Sequence, residues 1–215
     1  MSLPDFYQIT PEPVGSPHFE TFFAELTDTL GSGIRLLQLR AKQLGPREHL
    51  DVARRTRDLC RQSGAILMLN GPIDMAREVG CNGVHLGSDA LMSLRSRPVP
   101  DTVLLSAACH SAEQLEQAAR MAVDFVTLSP VLRTRTHPDA DPLGWERFTE
   151  LAQRARVPVF ALGACIRTCS IKPSAPEPGA SQRFPRLGAI DPPARDRPTR
   201  VDERPRAPQA YRFIR

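Results

Sequence analysis

The sequence predicts an α/β protein with a (β/α)8 barrel of the TIM type, and two observations support this. Short apolar runs alternate with amphipathic stretches from residue 6 to residue 162, which is the pattern of strands followed by helices. The alternation gives seven strand-helix steps, and strands joined through helices run parallel. An open, doubly wound sheet is the alternative architecture with the same alternation.

Each predicted strand is an apolar run, and each predicted helix has apolar residues at helical spacing. The strands are predicted over residues 6–10, 34–40, 65–69, 83–86, 103–107, 124–129 and 157–162. The helices are predicted over 18–30, from Pro46 to near Gly64, over 73–79, from Ser111 onward and over 143–155. Pro46 suits a first helical turn. Ser111 is predicted to cap its helix while Gln114 reaches back to the preceding backbone.

The chain changes in character after Gly163. Residues 165–215 contain 11 Lys and Arg against 5 Asp and Glu, are rich in Pro and Ala, and show almost no apolar periodicity. Proline does not fit the interior of helices or of central strands. We therefore predict two regions, a barrel over 1–164 and a disordered tail over 165–215.

Composition and charge exclude several classes of function. Residues 1–164 carry 17 Lys and Arg against 19 Asp and Glu, so the net charge of +4 comes from the tail and no nucleic-acid partner is expected. The five cysteines are scattered, which predicts neither a disulfide framework nor a zinc site. No apolar run reaches the length of about 18 residues that spans a membrane, and no signal peptide is recognisable. We expect a cytoplasmic protein with no membrane partner.

Polar residues follow the predicted strands, and in a barrel the carboxyl ends of the strands meet at one mouth, where active sites lie. Arg40 offers a planar fork of donors and Lys42 a point charge, which together suit phosphate or diphosphate. Alone, Arg40 could pair with a barrel carboxylate and Lys42 could be solvated; as a set, the mouth residues predict an anionic ligand. They are Gln38, Arg40, Lys42, Asn70, His85, Ser88, Asp89, His110, Ser129, Thr134, Arg135, Thr136, His137 and Gly163.

The loops after the last two predicted strands contain further groups for an anion. Thr134 and Thr136 could donate hydroxyl hydrogen bonds, although threonine-rich loops also form plain turns. Gly163 would let its backbone amide approach a phosphate closely.

Six short segments occur in the order and spacing of one known family. They are Gln38-Leu39-Arg40-Ala41-Lys42, Asn70, Gly83-Val84-His85-Leu86-Gly87, Ser129-Pro130-Val131 followed by Thr134 and Thr136, Pro142-Leu143-Gly144, and Ala161-Leu162-Gly163. Over residues 5–164 the chain resembles thiamine phosphate synthase and its relative TenI. It is most similar to the synthase-like domain found C-terminal to Nudix hydrolases of the MutT type. A Nudix domain is thus an expected partner, and this chain contains no Nudix box.

The resemblance implies a transferase of thiamine biosynthesis that joins hydroxymethylpyrimidine diphosphate to thiazole phosphate. It implies Mg²⁺ and basic groups that stabilise the departing diphosphate, which is chemistry that such residues can perform. It also assigns residues to each substrate. Gln38, Arg40, Lys42 and Asn70 match positions that hold the pyrimidine diphosphate, and Thr134, Thr136 and Gly163 match positions that hold the thiazole phosphate.

The chain departs from the family's pattern at four places. The family's Asn-Asp-Arg is Asn70-Gly71-Pro72, and its second metal-binding Asp matches Ala90, which leaves Asp89 as the candidate metal ligand. A Ser of the family is Ala108, and the Lys after the threonine pair is His137, a weaker and pH-dependent partner for an anion. With Asp89 alone, Mg²⁺-dependent synthase activity is in doubt.

These departures leave alternatives open. One is a TenI-like thiazole tautomerase, which needs no metal site for a diphosphate. The others are a phosphate-binding or regulatory module without catalysis, and an inactive fragment.

The resemblance places the change after Gly163 inside the expected barrel. The family has an eighth strand downstream, whereas this chain has a proline-rich segment there. We therefore expect an incomplete barrel, whose open edges favour aggregation. We interpret residues 165–215 as translation in a wrong reading frame, with a genuine disordered tail as the alternative.

Overall fold

A computed structural model describes residues 3–15, 18–132, 141–162 and 212–214. Its strands form a closed barrel in which sequence neighbours pair in parallel and the last strand also pairs with the first. The strands are β1 (Phe6–Ile9), β2 (Leu36–Arg40), β3 (Ile66–Asn70), β4 (Gly83–Leu86), β5 (Leu104–Cys109), β6 (Phe125–Leu128), β7 (Val159–Ala161) and β8 (Arg212–Ile214). The helices are α1 (Phe19–Gly31), α2 (Pro46–Gln62), α3 (Ile73–Val79), α4 (Ser88–Ser93), α5 (Ala112–Arg120) and α6 (Gly144–Arg154).

The barrel and its seven predicted strands are confirmed, with a described helix after each of the first six, and the open doubly wound sheet is not adopted. Two short elements go beyond the prediction. Helix α4 begins at Ser88, inside the polar stretch that follows β4. The expected incomplete barrel is corrected in one respect, since the three residues of β8 pair with β7 and with β1. A strand of three residues is too short for its apolar alternation to be recognised.

Two apolar cores lie on opposite faces of the strands. Alternate residues of each strand point inward, and the interior core consists of Tyr7, Leu36, Met68, Phe125 and Phe160. The three aromatic rings contact one another at centroid separations of 5.2–5.5 Å. The larger outer core lies between the strands and the helices. The interior core closes the middle of the barrel, so a ligand has room only above it.

Gly83 shows how tightly the interior is filled. A Cβ atom at this position would lie 2.5 Å from the Leu104 carbonyl oxygen and 2.6 Å from the Met68 Sδ. Such approaches are too short for real atoms, so the start of β4 requires glycine. By contrast, a Cβ atom at Gly87, just after β4, would meet no atom within 4 Å.

The N-terminus of α5 has the predicted cap. The Ser111 Oγ accepts a hydrogen bond from the Gln114 amide at 3.3 Å. The Gln114 Oε1 reaches back as predicted, although it accepts from the His110 amide at 2.6 Å rather than from the cap residue. Within the described ranges, no helix combines the length and the apolar character required to cross a bilayer.

Candidate active site

Strand β2 carries the central residues of the site. Leu36, Gln38 and Arg40 share the inward face of this strand because side chains alternate between the two faces. Leu36 belongs to the interior core, Gln38 is buried directly above it, and Arg40 is half-buried at the end of the strand. Lys42 follows in the exposed loop. The strand thus leads from the apolar core to the mouth: Arg40 and Lys42 lie at its mouth end, whereas Gln38 is buried below them.

Arg40 is held by a carboxylate that the sequence analysis does not single out. The Glu12 Oε2 accepts from the Arg40 guanidinium at 2.6 Å, and its Oε1 accepts from the Gln43 amide at 2.7 Å. The alternative that Arg40 pairs with a barrel carboxylate is therefore realised. Glu12 lies just after β1, so its position at a strand end was the signal available in the sequence.

Asn70, Gln38 and Tyr7 form a chain of hydrogen bonds from the mouth into the barrel. The Asn70 Nδ2 donates to the Gln38 Oε1 at 2.9 Å, and the Gln38 Nε2 donates to the Tyr7 hydroxyl at 2.9 Å. Burial raises the pKa of Tyr7, and the neighbouring Gln38 and Ser106 side chains partly oppose this. The predicted neighbours Gln38 and Asn70 are thus in direct contact, on adjacent strands paired Arg40 to Asn70.

His85 lies inside the barrel, which corrects its assignment to the mouth. It is within β4 and only 5% exposed. Its Nδ1 lies 2.9 Å from the Ser106 Oγ, and its ring centroid lies 6.2 Å from that of Tyr7. Burial, together with the positive charge of Lys42, lowers the pKa of His85 to about 3. His85 is therefore a neutral member of the interior network.

His110 and Ser129 meet across the ends of β5 and β6. The His110 Nδ1 lies 2.7 Å from the Ser129 carbonyl oxygen and 3.4 Å from its Oγ. A carbonyl oxygen can only accept a hydrogen bond, so Nδ1 carries the proton. In the neutral imidazole this leaves Nε2 with a free lone pair, on a side chain that is exposed.

The predicted contacts to the thiazole phosphate, Thr134, Thr136 and Gly163, lie outside the described residues, and so does His137, the predicted pH-dependent partner for an anion. Their roles stay predictions that rest on the resemblance.

The family model for thiamine monophosphate synthase matches residues 6–172. The chain belongs to this family. The match covers every described strand from β1 to β7 and ends a little beyond residue 164, the boundary predicted for the barrel.

Curated relatives and a solved structure agree with this membership. The putative thiamine-phosphate synthase 2 of Aquifex aeolicus is 34% identical over 163 residues, which cover 76% of this chain and 86% of that protein. The thiamine-phosphate synthase of Gloeobacter violaceus is 32% identical over 157 residues, and the match covers 72% of this chain but only 46% of that protein. Thiamine phosphate pyrophosphorylase from Pyrococcus furiosus has the same fold, with a TM-score of 0.60, 23% identity and coverage of 74% and 75% of the two chains.

The described residues offer few ligands for a metal ion at this site. Asp89 is exposed on the first turn of α4. Among the described residues, no three His, Cys, Asp or Glu side chains cluster in a way that could hold a metal ion. The described residues therefore do not fit a Mg²⁺ site held by the protein.

His49 occupies the space beside Gly71, where the family pattern has a carboxylate. A Cβ atom on Gly71 would lie 2.9 Å from the His49 Cε1. His49 is 7% exposed, and its Nε2 has no hydrogen-bond partner among the described residues. Burial lowers the pKa of His49, an effect that the charge of Glu12 opposes. An imidazole thus fills a place at the end of β3 that an aspartate side chain would need.

Proposed function

We propose that this chain is a thiamine phosphate synthase-type transferase that acts on two small phosphorylated substrates. The substrates are hydroxymethylpyrimidine diphosphate and thiazole phosphate, and the products are thiamine phosphate and diphosphate. The observation that supports this most directly is the adjacency of Gln38, Arg40 and Asn70 at the mouth. It combines the Asn70 carboxamide, suited to a heterocycle and held by the buried Gln38, with a cation suited to a diphosphate.

The proposed reaction exchanges one bond for another. The bond between the pyrimidine methylene carbon and the diphosphate oxygen breaks, and the diphosphate leaves with the electron pair. The thiazole nitrogen then donates its lone pair to the resulting cation and forms the new carbon–nitrogen bond. Arg40 and Lys42 stabilise the negative charge that develops on the leaving group, which is the principal electrostatic contribution expected at this site.

Arg40 must change partners, or share them, when the diphosphate binds. Its pair with Glu12 is partly exposed, with side-chain exposures of 34% and 18%. Exposed ion pairs stabilise a protein by about 0–1 kcal/mol. A diphosphate carries more charge than one carboxylate, so the exchange is favourable. Because the described residues do not fit a metal site, the stabilisation of the leaving group is assigned to these two cations.

A direct assay tests this function. The protein is incubated with both substrates, with and without Mg²⁺, and thiamine phosphate is detected after oxidation to the fluorescent thiochrome. Calorimetric titration with each substrate is run in parallel. We expect binding of both substrates and formation of product. Binding of thiazole phosphate alone, with no product, contradicts the synthase proposal.

A TenI-like thiazole tautomerase is the second candidate, and the geometry of His110 favours it. Tautomerisation moves a proton between two atoms of the thiazole and needs no metal for a leaving group. The His110 Nε2 is a free base on an exposed side chain, held by the bond from Nδ1 to Ser129. The test is conversion of thiazole tautomers by the wild type and by His110→Asn. Equal rates for the two proteins would exclude His110 as the base.

We also propose that residues 1–164 form the family-like barrel, which β8 (Arg212–Ile214) closes in this structure, and that residues 165–215 arise from a shifted reading frame. The support is the end of the family match at residue 172 and the Pro- and Arg-rich composition of the residues that follow. The same proposal includes the relationship of this chain to the synthase-like domains that are fused to Nudix hydrolases. Sequencing the gene tests it: we expect a family-like eighth strand in another frame downstream of Gly163. Its absence from all frames would favour a genuine tail.

A further inference from the structure

Hydrogen bonds join side chains on three neighbouring strands of the barrel. The chain runs from Asn70 on β3 through Gln38 on β2 to Tyr7 on β1. Ser106 on β5 and His85 on β4 form a second pair, 2.9 Å apart, beside the Tyr7 ring. Gln38 and Tyr7 are buried, and Asn70 is half-buried at the mouth. The chain therefore connects a candidate substrate contact to a tyrosine that no substrate touches.

Donors and acceptors alternate along this chain in one direction. The direction is set by the two carboxamide bonds, since an amide nitrogen only donates and an amide oxygen only accepts: the Asn70 Nδ2 donates to the Gln38 Oε1, and the Gln38 Nε2 donates to the Tyr7 hydroxyl. The Ser106 hydroxyl has a buried acceptor of its own in the Val84 carbonyl oxygen, at 3.5 Å. Without the Tyr7 hydroxyl, the buried Gln38 Nε2 would lose its acceptor, which is costly.

The direction decides which atom Asn70 presents to a ligand. Because its Nδ2 is used by the Gln38 Oε1, its Oδ1 is the atom left for the mouth. A carboxamide oxygen cannot donate to a phosphate oxygen, but it accepts from a ring amino or N–H group. Arg40 and Lys42, by contrast, can only donate and suit the diphosphate.

We propose that Tyr7 is a positioning residue that fixes the orientation of the Gln38 and Asn70 carboxamides, so that Asn70 presents its oxygen to a hydrogen-bond donor on the substrate's heterocycle. This inference rests on the proposed function for the identity of the substrate. Its structural part, the fixed orientation, can be measured without any substrate. Tyr7 contacts no ligand in this scheme and acts through Gln38.

The variant Tyr7→Phe tests the proposal because it removes only the hydroxyl and keeps the ring contacts with Phe125 and Phe160. Val123→Ala is the matched control, since it removes buried volume from the outer core and leaves the chain intact. If Tyr7→Phe does not fold, Ser106→Ala removes the polar neighbour of the Tyr7 hydroxyl instead.

The first measurement is exchange of the side-chain NH2 protons of Gln38 and Asn70 with solvent, followed by NMR without ligand. We expect exchange at least about tenfold faster in Tyr7→Phe, corresponding to one lost buried hydrogen bond, and no change in Val123→Ala. Unchanged exchange in Tyr7→Phe would overturn the proposal.

The second measurement compares the affinities for hydroxymethylpyrimidine diphosphate and for inorganic diphosphate. Tyr7→Phe should weaken binding of the first about tenfold and leave binding of the second unchanged. Equal weakening of both would indicate general damage and would overturn the positioning role. If the wild type binds inorganic diphosphate but not the pyrimidine compound, the proposed function fails, while the exchange rates still decide whether Tyr7 fixes the two carboxamides.

Discussion

The two sides of the barrel mouth differ in how their side chains are supported. On the β2–β3 side, Arg40 is bonded to Glu12, and Asn70 and Gln38 are bonded to each other and to the interior. On the β4–α4 side, Asp89 is exposed at the start of a six-residue helix. Groups held in place before binding lose less freedom when the ligand arrives. If the proposed function holds, the first side is thus arranged in advance for the heterocycle and the diphosphate, whereas the described residues of the second side do not form a metal site.

The largest effect is expected from Arg40→Gln on the β2–β3 side of the mouth. This change removes a charge-assisted contact to the diphosphate, so affinity for inorganic diphosphate should fall about 10- to 100-fold. Calorimetric titration measures it. Arg54→Gln is the matched control, because Arg54 also forms an ion pair, with Glu78, on an exposed helix surface. Equal affinities for wild type and Arg40→Gln would remove Arg40 from the site.

A second prediction concerns His85, which is buried inside the barrel. The pKa of His85 is about 3 in the folded protein, against an ordinary value of 6.5. Between these values the unfolded chain binds a proton that the folded chain does not, so the stabilisation is complete above pH 6.5 and declines as pH falls. At pH 5 the free energy of unfolding should be lower by about 2 kcal/mol from this group.

Urea unfolding at several pH values measures this decline. His85→Gln stays neutral throughout and should show a weaker dependence on pH over the same range. An identical dependence in the two proteins would show that His85 is not the group responsible.

A third prediction concerns the metal-binding carboxylates of the family pattern that this chain lacks. The double variant Gly71→Asp, Ala90→Asp adds the two carboxylates of the family pattern. Mg²⁺ should then tighten binding of inorganic diphosphate, because hard cations bind to carboxylate and phosphate oxygens. His49 must move, since its Cε1 lies 2.9 Å from the site of the new Cβ atom. Adding His49→Ala should strengthen the gain. Calorimetric titrations with inorganic diphosphate, with and without Mg²⁺, measure this effect. If Mg²⁺ leaves the affinity unchanged in every variant, the prediction is wrong.

The smallest effect is expected from Asp89→Asn. An isolated, exposed carboxylate contributes little, so affinity for diphosphate in Mg²⁺ should change less than about twofold. The same titration checks this. A large loss would show that Asp89 does hold a metal with the substrate, and that the two sides of the mouth are more alike than their contacts indicate.

Much of this architecture could be predicted from the sequence because apolar periodicity is a local signal. β4 and α3 have the predicted bounds, and the other described strands of the first seven differ from prediction only at their ends. Gln38, Arg40 and Asn70 could be placed together, since strand ends in a barrel share one mouth. Helix α4 and strand β8 were too short to show their period.

The supporting residues could not be found in this way. Tyr7 and Ser106 lie in runs that look apolar, and their partners are on other strands. Glu12 and Gln43 meet across 31 positions of sequence. His85 is buried because side chains alternate between the two faces of β4 and its own side chain lies on the inward face. Its position near the end of a strand, taken alone, assigns it wrongly to the mouth. Such contacts are properties of the closed barrel and not of any one segment.

The carboxylate of Glu12 gives this site a built-in competitor. The Gln43 amide holds Glu12 in place through its Oε1, while its Oε2 lies 2.6 Å from one nitrogen of the Arg40 guanidinium. An anion that binds Arg40 therefore either displaces this carboxylate or shares the guanidinium with it. Monovalent anions such as chloride or acetate offer no more charge than Glu12, whereas a ligand with several negative charges can contact Arg40 and Lys42 together. In the proposed function, the ion pair thus favours multiply charged ligands over simple anions.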